Sequence, residues 1–203
     1  MAPSRLPEPS KSPLTDRERG LLIDTAADSI EHGVHRNEAF PVVVDRFPAS
    51  LQQPGATFVT LKMGGDLRGC IGSTQAYRPL VLDVAENAFA AAFRDPRFAA
   101  VRVYDLPHLT FSISMLGPNT ELRFESEQDL LALLRPGTDG LTIEDGTHRA
   151  TFLPQVWESL PQPQAFLAHL KRKAGLSEQH WSDALRAYRY TTECVTEDSR
   201  FDV

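Results

Sequence analysis

Two glycine-containing turns constrain the fold of this chain more than any other feature of its sequence. Gly64 and Gly65 separate the strand-like runs TFVTLKM and LRGCIGS, and Asp145 with Gly146 interrupts the strand-like segment GLTIEDGTHRATFLP. Gly-Gly and Asp-Gly pairs favour tight turns in which both central residues have positive φ, and such turns join antiparallel strands. The sequence therefore predicts two β-hairpins.

Helical patterns lie before, between and after these hairpins. A capping box that begins at Thr15 and a run of apolar residues at helical spacing predict a helix to about His35. Further helices are predicted over residues 78–93, 126–134 and 163–175, with a short one from Ser177 through Leu185, and strands over residues 109–117 and 186–197. Because helices and hairpins are mixed without a regular strand–helix–strand alternation, the predicted fold class is α+β with a mostly antiparallel sheet and packed helices.

The composition is that of a globular protein with a short tail. The chain has 203 residues, of which 41% are hydrophobic and 24% charged, as in one globular unit or two subdomains sharing one core. Residues 1–13 contain four prolines and three serines with little to bury, which predicts a disordered tail. The domain is therefore predicted to occupy residues 14–203.

Charge and cysteine content argue against several classes of partner. The net charge is −6 and no basic stripe with interleaved aromatic residues is present, so no nucleic-acid partner is predicted. No apolar run is long enough to span a bilayer and no signal-peptide pattern begins the chain, so no membrane association is predicted. The two cysteines, Cys70 and Cys194, lie far apart in sequence, which argues against a disulfide framework and favours a cytoplasmic protein.

The first hairpin carries the candidate site, and its register decides which residues meet. A two-residue turn would pair Val59 with Cys70, whereas a three-residue loop pairs Thr60 with Cys70 and Lys62 with Arg68. The second register sorts apolar from polar residues, so it is the one we predict. Since side chains alternate between the two faces of a strand, Arg68 and Cys70 then point the same way.

This register predicts a positively charged face beside Cys70. Lys62 and Arg68 would oppose each other, which is unfavourable unless a bound anion or a carboxylate lies between them, and Glu86 and Asp95 are candidates for that carboxylate. Nearby cations stabilise a thiolate, which is the form of cysteine that reacts as a nucleophile.

The glycines around Cys70 allow two interpretations. Gly69 and Gly72 could let a substrate approach the backbone, whose N–H groups could serve as oxyanion donors. Alternatively, Cys70 could be an inert small residue in the core, with the glycines only relieving packing. Composition and spacing leave both interpretations open.

Other candidate residues lie outside the hairpin. Asp95 and Arg97 flank a proline after a predicted helix, and they either form a local ion pair or reach the cleft. Lys173 lies at the end of a predicted helix, where the helix dipole favours a cation and suffices to explain it. Gln155 either binds a ligand or closes a strand end.

No metal site or cofactor is assigned from the sequence. The six histidines include the pair His32 and His35 but show no HExxH motif and no clustered Cys/His spacing. The sequence also lacks a Gly-rich phosphate loop before a helix, a GxSxG motif and a dinucleotide-binding fingerprint. Metal binding is therefore not predicted, and any cofactor is unknown.

Seven short segments, in order along the chain, resemble the AMMECR-type domain, which is also called AmmeMemoRadiSam system protein A. They are FVTL (58–61), LRGCIGS (67–73), DPRF (95–98), ISML (113–116), GLTI (140–143), FLPQV (152–156) and KAGL (173–176). The resemblance implies an α+β fold in which two subdomains flank a cleft, with the LRGCIG hairpin near that cleft. It also implies an activity that is not established, and two candidate partners through gene association: a Memo-like protein and a radical SAM protein.

Two functions of different classes follow, and whether the chain is an enzyme stays open between them. In the first, Cys70 is a nucleophile or redox thiol and acts on a small anionic substrate. The substrate-binding residues would be Thr60, Lys62, Arg68, Gly69, Gly72, Asp95 and Arg97. No residue is an obvious general base. In the second, the chain is a non-catalytic ligand-binding or scaffold module for the Memo-like and radical SAM partners, which requires no base.

Overall fold

The structure is a computed structural model that describes residues 14–197, so the predicted tail at residues 1–13 lies outside the described residues. The helices are α1 (Asp16–Arg36), α2 (Ala49–Gln52), α3 (Leu80–Phe93), α4 (Glu127–Leu133) and α5 (Pro163–Lys173). The strands are β1 (Pro54–Gly55), β2 (Thr57–Met63), β3 (Asp66–Gly72), β4 (Arg78–Pro79), β5 (Leu109–Leu116), β6 (Thr120–Leu122), β7 (Gly140–Asp145), β8 (His148–Phe152), β9 (Arg186–Tyr190) and β10 (Thr192–Glu197). Short 3₁₀ turns lie at Val44–Arg46, Val103–His108 and Pro154–Glu158.

Two four-stranded antiparallel sheets organise the chain. The first sheet has the strand order β10-β5-β2-β3, and the second sheet has the order β6-β9-β7-β8. Strands β1 and β4 form a separate antiparallel pair. Helices packed against antiparallel sheets confirm the predicted α+β class.

Helices α1 and α4 begin at the capping residues that the sequence predicts. Thr15 caps α1 in a capping box with Glu18, and Asn37 ends the helix in the left-handed region with φ 54°. Ser126 caps α4 through the N–H of Asp129. These ends satisfy main-chain groups that a helix terminus otherwise leaves without partners.

Helices α1 and α3 cover one face of the first sheet. Alternate residues of β2, namely Thr57, Val59 and Leu61, point into this interface and are buried. A second apolar cluster lies between the second sheet and helices α4 and α5. The division of residues 14–203 into two subdomains stays a prediction, but the apolar side chains form two clusters rather than one shared core.

The last described segments differ from the predicted pattern in two ways. The β-like run at residues 186–197 divides at Thr191, because β9 belongs to the second sheet and β10 to the first. The helix predicted from Ser177 is wrong, since residues 177–185 form turns. His180 Nε2 and Ser182 Oγ lie 2.6 and 2.7 Å from one carboxylate oxygen of Asp145, and these contacts hold the turns against the second hairpin.

The first hairpin combines a two-residue turn with a bulge. Met63 pairs with Asp66 across Gly64 and Gly65, which have φ angles of 61° and 91°. Positive φ at both positions is what a tight hairpin turn requires and is the reason for two glycines here. The predicted three-residue loop is therefore wrong.

The bulge restores the predicted register at Cys70. Thr60 pairs with Cys70 as predicted, whereas Lys62 pairs with Leu67 and not with Arg68. Arg68 is the extra residue of the bulge, which lies where the pairing shifts after Leu61. Cys70 thus lies opposite Thr60, but the predicted opposition of Lys62 and Arg68 is wrong.

Candidate functional site

Cys70 lies on the face of the first sheet that helices α1 and α3 do not cover. The hydroxyl of Thr60 donates a hydrogen bond to the Cys70 sulfur over 3.3 Å. Ser112, on the other side of Thr60 in β5, belongs to the same face. Cys70 is half-buried, and its thiol therefore lies on a polar, partly accessible surface and not among the apolar side chains of the first cluster.

Asp95 and Arg97 hold the main chain of Cys70 at the edge of the first sheet. Asp95 Oδ2 accepts a hydrogen bond from the Cys70 N–H over 2.9 Å, and Arg97 Nη2 donates one to the Cys70 carbonyl oxygen over 3.3 Å. The two side chains also bond to each other, from Arg97 Nε to Asp95 Oδ1 over 2.9 Å and from Arg97 Nη2 to Asp95 Oδ2 over 2.7 Å. Because β3 is an edge strand, this pair takes the place of a neighbouring strand.

The ion pair keeps both of these side chains charged. The pKa of Asp95 is held well below its usual range, chiefly by the hydrogen bond from Arg97 and also by the N–H groups of Cys70 and Arg97, against the effect of burial. The same hydrogen bond raises the pKa of Arg97. The side chain of Asp95 is 2% exposed and that of Arg97 is 54% exposed, so the guanidinium presents its free edge to solvent beside Cys70.

Arg68 does not contact Glu86 or Asp95, the carboxylates predicted for it. Its Nη2 lies 3.4 Å from the carbonyl oxygen of Ala100 and 3.8 Å from Asp105 Oδ2. The predicted contact of Arg68 with a carboxylate is present, but the partner is Asp105, because the bulge directs Arg68 toward the segment 100–105. Within the described chain, the Nη1 atom of Arg68 is buried without a hydrogen-bond partner.

Lys62 is exposed and lies between Leu67 of β3 and Thr110 of β5. No hydrogen bond or ion pair joins it to another residue of the described chain. The predicted anion site between Lys62 and Arg68 depended on their direct opposition, and the bulge removes that opposition.

Gly69 and Gly72 are explained by close packing. A Cβ atom at Gly69 would lie 2.1 Å from the carbonyl oxygen of Ala91 on α3, and one at Gly72 would lie 2.3 Å from the ring of Phe58. Helix and ring thus occupy the space beside these glycines that a substrate was predicted to enter. Their absence of a side chain lets the hairpin lie against its neighbours.

The second half of the chain contributes two polar side chains to this region. Gln155, in the 3₁₀ turn after β8, donates a hydrogen bond to Ser114 Oγ on the first sheet over 3.2 Å. Lys173, at the end of α5, donates one to the carbonyl oxygen of Thr151 over 3.0 Å, and its ammonium lies 5.2 Å from the centre of the Phe152 ring.

Lys173 is the residue that sequence reasoning missed. Cys70 and Arg97 both influence its pKa, so this amine of the second half of the chain belongs to the electrostatic surroundings of the first hairpin. Partial burial lowers the pKa of Lys173, Arg97 lowers it further, and Cys70 opposes the shift. The lysine lies in the segment KAGL, which resembles the family, but its position at the end of a helix is explained by the helix dipole alone.

A buried polar network fixes the start of the first hairpin beside α3. Asp83 is fully buried and accepts hydrogen bonds from Thr57, Ser73, Arg78 and Asn87 at 2.7 to 2.9 Å. Such a carboxylate is tolerated inside the protein because its oxygens are fully paired. The alanine-rich amphipathic pattern of residues 78–93 predicts the helix, but it does not predict this network.

No group of three or more His, Cys, Asp or Glu side chains that could hold a metal ion occurs within residues 14–197. An open cavity of about 510 Å³ lies where the two halves of the chain meet, and Gln155, Trp157 and Thr192 contribute to its walls. Thr192 belongs to β10 and Cys70 to β3, so the cavity and the thiol lie toward opposite edges of the first sheet. In the described part of the chain, no helix is both long enough and apolar enough to cross a membrane.

Comparison with known proteins decides the family. The AMMECR1 family model matches residues 23–195. The chain belongs to the AMMECR1 family. A relative from Methanothermobacter thermautotrophicus is 35% identical over 195 residues, which cover 92% of this chain and 98% of the relative. Protein MJ0810 of Methanocaldococcus jannaschii is 32% identical over 164 residues, which cover 77% of this chain and 80% of the relative.

A solved structure shows the AMMECR1 fold. The crystal structure of the uncharacterized protein PH0010 from Pyrococcus horikoshii is similar to this chain with a TM-score of 0.83 and 29% sequence identity. The match covers 92% of this chain and 94% of that one. The predicted resemblance to an AMMECR-type domain is thereby confirmed.

Proposed function

We propose that this AMMECR1-family protein is a cysteine-dependent enzyme that acts on a small anionic substrate at Cys70, within the AmmeMemoRadiSam system. The observation that carries the proposal is the position of the Cys70 thiol. It lies half-buried on a polar sheet face, and its peptide is bonded on both sides by Asp95 and Arg97.

The charges around the thiol favour an anionic substrate. Arg97 contacts the Cys70 peptide, and a guanidinium has five N–H donors of which Asp95 and the Cys70 carbonyl take only some. The charge of Cys70 also influences the pKa of Lys173 from the second half of the chain. A positive charge beside a thiol favours the thiolate, which is the nucleophilic form. The same charges attract a carboxylate or phosphate on the substrate.

The residues proposed to bind the anion differ from those that the sequence of the first hairpin predicts. Arg97 and Lys173 replace Lys62 and Arg68 as the anion-binding cations, since Arg68 is turned toward Asp105. The hydroxyl of Thr60 donates to the sulfur and orients it on the polar face of the sheet. A free thiol persists in a reducing compartment, and we propose the cytoplasm as the place of action.

The experiment compares alkylation of Cys70 by iodoacetate, which is an anion, with alkylation by iodoacetamide, which is neutral. Cys194 is exposed and serves as the internal control, and the variants Cys70→Ser and Cys194→Ser isolate each thiol. A solvent-exposed charge contact contributes up to about 1 kcal/mol, so the iodoacetate-to-iodoacetamide rate ratio at Cys70 is expected to exceed that at Cys194 by up to about fivefold. Arg97→Gln should reduce this excess. Equal ratios at the two cysteines would refute the proposal.

The alternative is a ligand-binding or scaffold module for a Memo-like protein and a radical SAM protein. One observation favours it: within residues 14–197 no histidine is hydrogen-bonded to Cys70, so the usual base of a catalytic cysteine is missing. A module needs no reactive thiol. Alkylation of Cys70 that is slower than that of Cys194, with both reagents, would support the module and exclude the enzyme.

A further inference from the structure

A groove rich in proline lies where the two halves of the chain meet, and its volume is about 510 Å³. Pro136 contributes from the segment between α4 and β7, Pro154, Trp157 and Pro161 from the segment after β8, and Thr192 from the start of β10. These residues define the proline-lined groove. Proline-rich segments in the extended polyproline II conformation bind in grooves with aromatic and other apolar walls.

We propose that the proline-lined groove binds residues 1–13 of the same chain, MAPSRLPEPSKSP. This segment precedes α1, which packs on the first sheet, whereas most of the groove belongs to the second half of the chain. The bound segment therefore joins the two halves. The inference goes beyond the proposed function and does not depend on the chemistry of Cys70.

The described chain begins close to the proline-lined groove. Thr15 caps α1, and Arg19, one turn later, donates a hydrogen bond from Nε to Glu193 Oε1 over 2.8 Å. Glu193 follows Thr192, which contributes to the groove. The 13 residues before Leu14 span about 40 Å in the polyproline II conformation. Since only one helical turn and two side chains separate Thr15 from the strand that borders the groove, the segment is long enough to reach it.

Contacts within the described residues hold the groove in shape. The Nε1 atom of Trp157 donates a hydrogen bond to the carbonyl oxygen of Asp139 over 2.7 Å, and its ring stacks on Phe166 with the centroids 3.8 Å apart. The turn that contains Pro136 is closed by the ion pair of Arg135 and Asp139 over 2.6 Å. Asp139 thus connects the two segments that contribute the prolines. A preformed surface loses little freedom when a segment binds to it.

The composition of residues 1–13 complements the groove. The segment has four prolines, which restrict the unbound chain and so reduce the entropy lost on binding. Arg5 and Lys11 outnumber Glu8, and the exposed Glu158 at the groove provides an opposite charge. This composition predicts disorder for the segment alone because the segment cannot form a core, but such a segment can become ordered on a surface.

The experiment is photocross-linking of the full chain with p-benzoylphenylalanine in place of Leu6, followed by peptide mapping. The same photoreactive residue in place of Ser10 is a second probe, which retains Leu6. In place of Tyr104 it is the control, because Tyr104 is 65% exposed and belongs to the segment beside β3, at the other edge of the first sheet from β10. We expect both probes of the segment to cross-link within one chain to the peptides that contain residues 136–137 and 154–161, and the control to form no such cross-link.

A matched pair of charge reversals tests the groove itself. Glu158→Arg should lower the yield of these cross-links about fivefold, the ratio for one exposed charge contact. Glu125→Arg makes the same change at an exposed residue of another cavity and should leave the yield unchanged. Circular dichroism should show that both variants are folded.

Three results would overturn the inference. The first is a pattern in which the probes at positions 6 and 10 cross-link to the same peptides as the control at position 104. The second is an equal yield in Glu158→Arg and Glu125→Arg. The third is cross-linked dimers on a denaturing gel in place of intrachain products, which would show that the groove binds the segment of a second copy of the chain.

Discussion

Replacing Gly69 by alanine tests whether close packing of the hairpin on α3 positions Cys70. The added Cβ would lie 2.1 Å from the carbonyl oxygen of Ala91, whereas ordinary van der Waals contact begins at about 3.4 Å. The main chain fixes the position of the Cβ, and its partner is a main-chain oxygen, so no side-chain rotation can relieve the contact. The strand and the helix must therefore separate locally.

The magnitude follows from two opposing effects. Overpacking a well-packed interface costs about 1–3 kcal/mol, and the contact at Gly69 belongs at the upper end because backbone atoms meet. Replacing glycine by alanine also restricts the unfolded chain, which offsets about 0.4–1 kcal/mol of that loss. We expect a net loss of about 2 kcal/mol, which for a chain of this length lowers the Tm by roughly 4–8 °C.

The assay is urea unfolding of the Gly69→Ala variant beside Gly20→Ala, which makes the same chemical change elsewhere. Gly20 lies inside α1 with no atom within 4 Å of its added Cβ, and alanine is favoured over glycine in a helix by about 1 kcal/mol. Gly20→Ala should therefore stabilise the protein while Gly69→Ala destabilises it. A Gly69→Ala variant as stable as the unmodified protein would refute the packing role.

Three further predictions concern charge and capping. The carboxylate of Asp95 has a pKa below that of an unfolded aspartate, so its contribution to stability is present above about pH 4 and is lost as the pH falls. Between pH 6 and pH 3, the free energy of urea unfolding should therefore decrease less for Asp95→Asn than for the unmodified protein. An equal decrease for the two proteins would contradict this. Burial raises the pKa of Tyr190 to about 12, so its contribution is complete below about pH 10 and is lost as the pH rises toward 12. Near-ultraviolet titration should show one late tyrosine that is absent in Tyr190→Phe, and four tyrosines titrating together would count against it. Thr15→Ala removes the capping box of α1 and should cost about 1 kcal/mol in thermal unfolding, with an unchanged Tm as the opposing result.

The parts of the fold that the sequence predicts are those decided by neighbouring residues. The turn at Gly64 and Gly65, the capping box at Thr15 and the helix over Leu80–Phe93 each depend on a few adjacent side chains. The bulge at Arg68 depends instead on contacts from far along the chain. Gly69 must meet Ala91 of α3, and that contact cannot be inferred from strand alternation.

The role of Asp95 and Arg97 was predictable only in part. The expected local ion pair is present, and the pair also bonds to the Cys70 main chain, whereas its expected position at a cleft stays a prediction. The missing information was the order of the strands. Only once β3 is known to be an edge strand does its main chain require partners from side chains.

Lys173 shows how a local explanation that suffices for a residue can leave its contacts in the folded chain unpredicted. The helix dipole accounts equally well for all three consecutive cations at the end of α5. In the folded chain, Lys171 pairs with Glu127 and Arg172 pairs with Glu178, while Lys173 has no carboxylate partner among the described residues. Lys173 donates instead to the carbonyl oxygen of Thr151 on β8. Because the three cations lie in the same last turn of α5, only the contacts of the folded chain distinguish Lys173 from its neighbours, and the segment KAGL alone could not predict that difference.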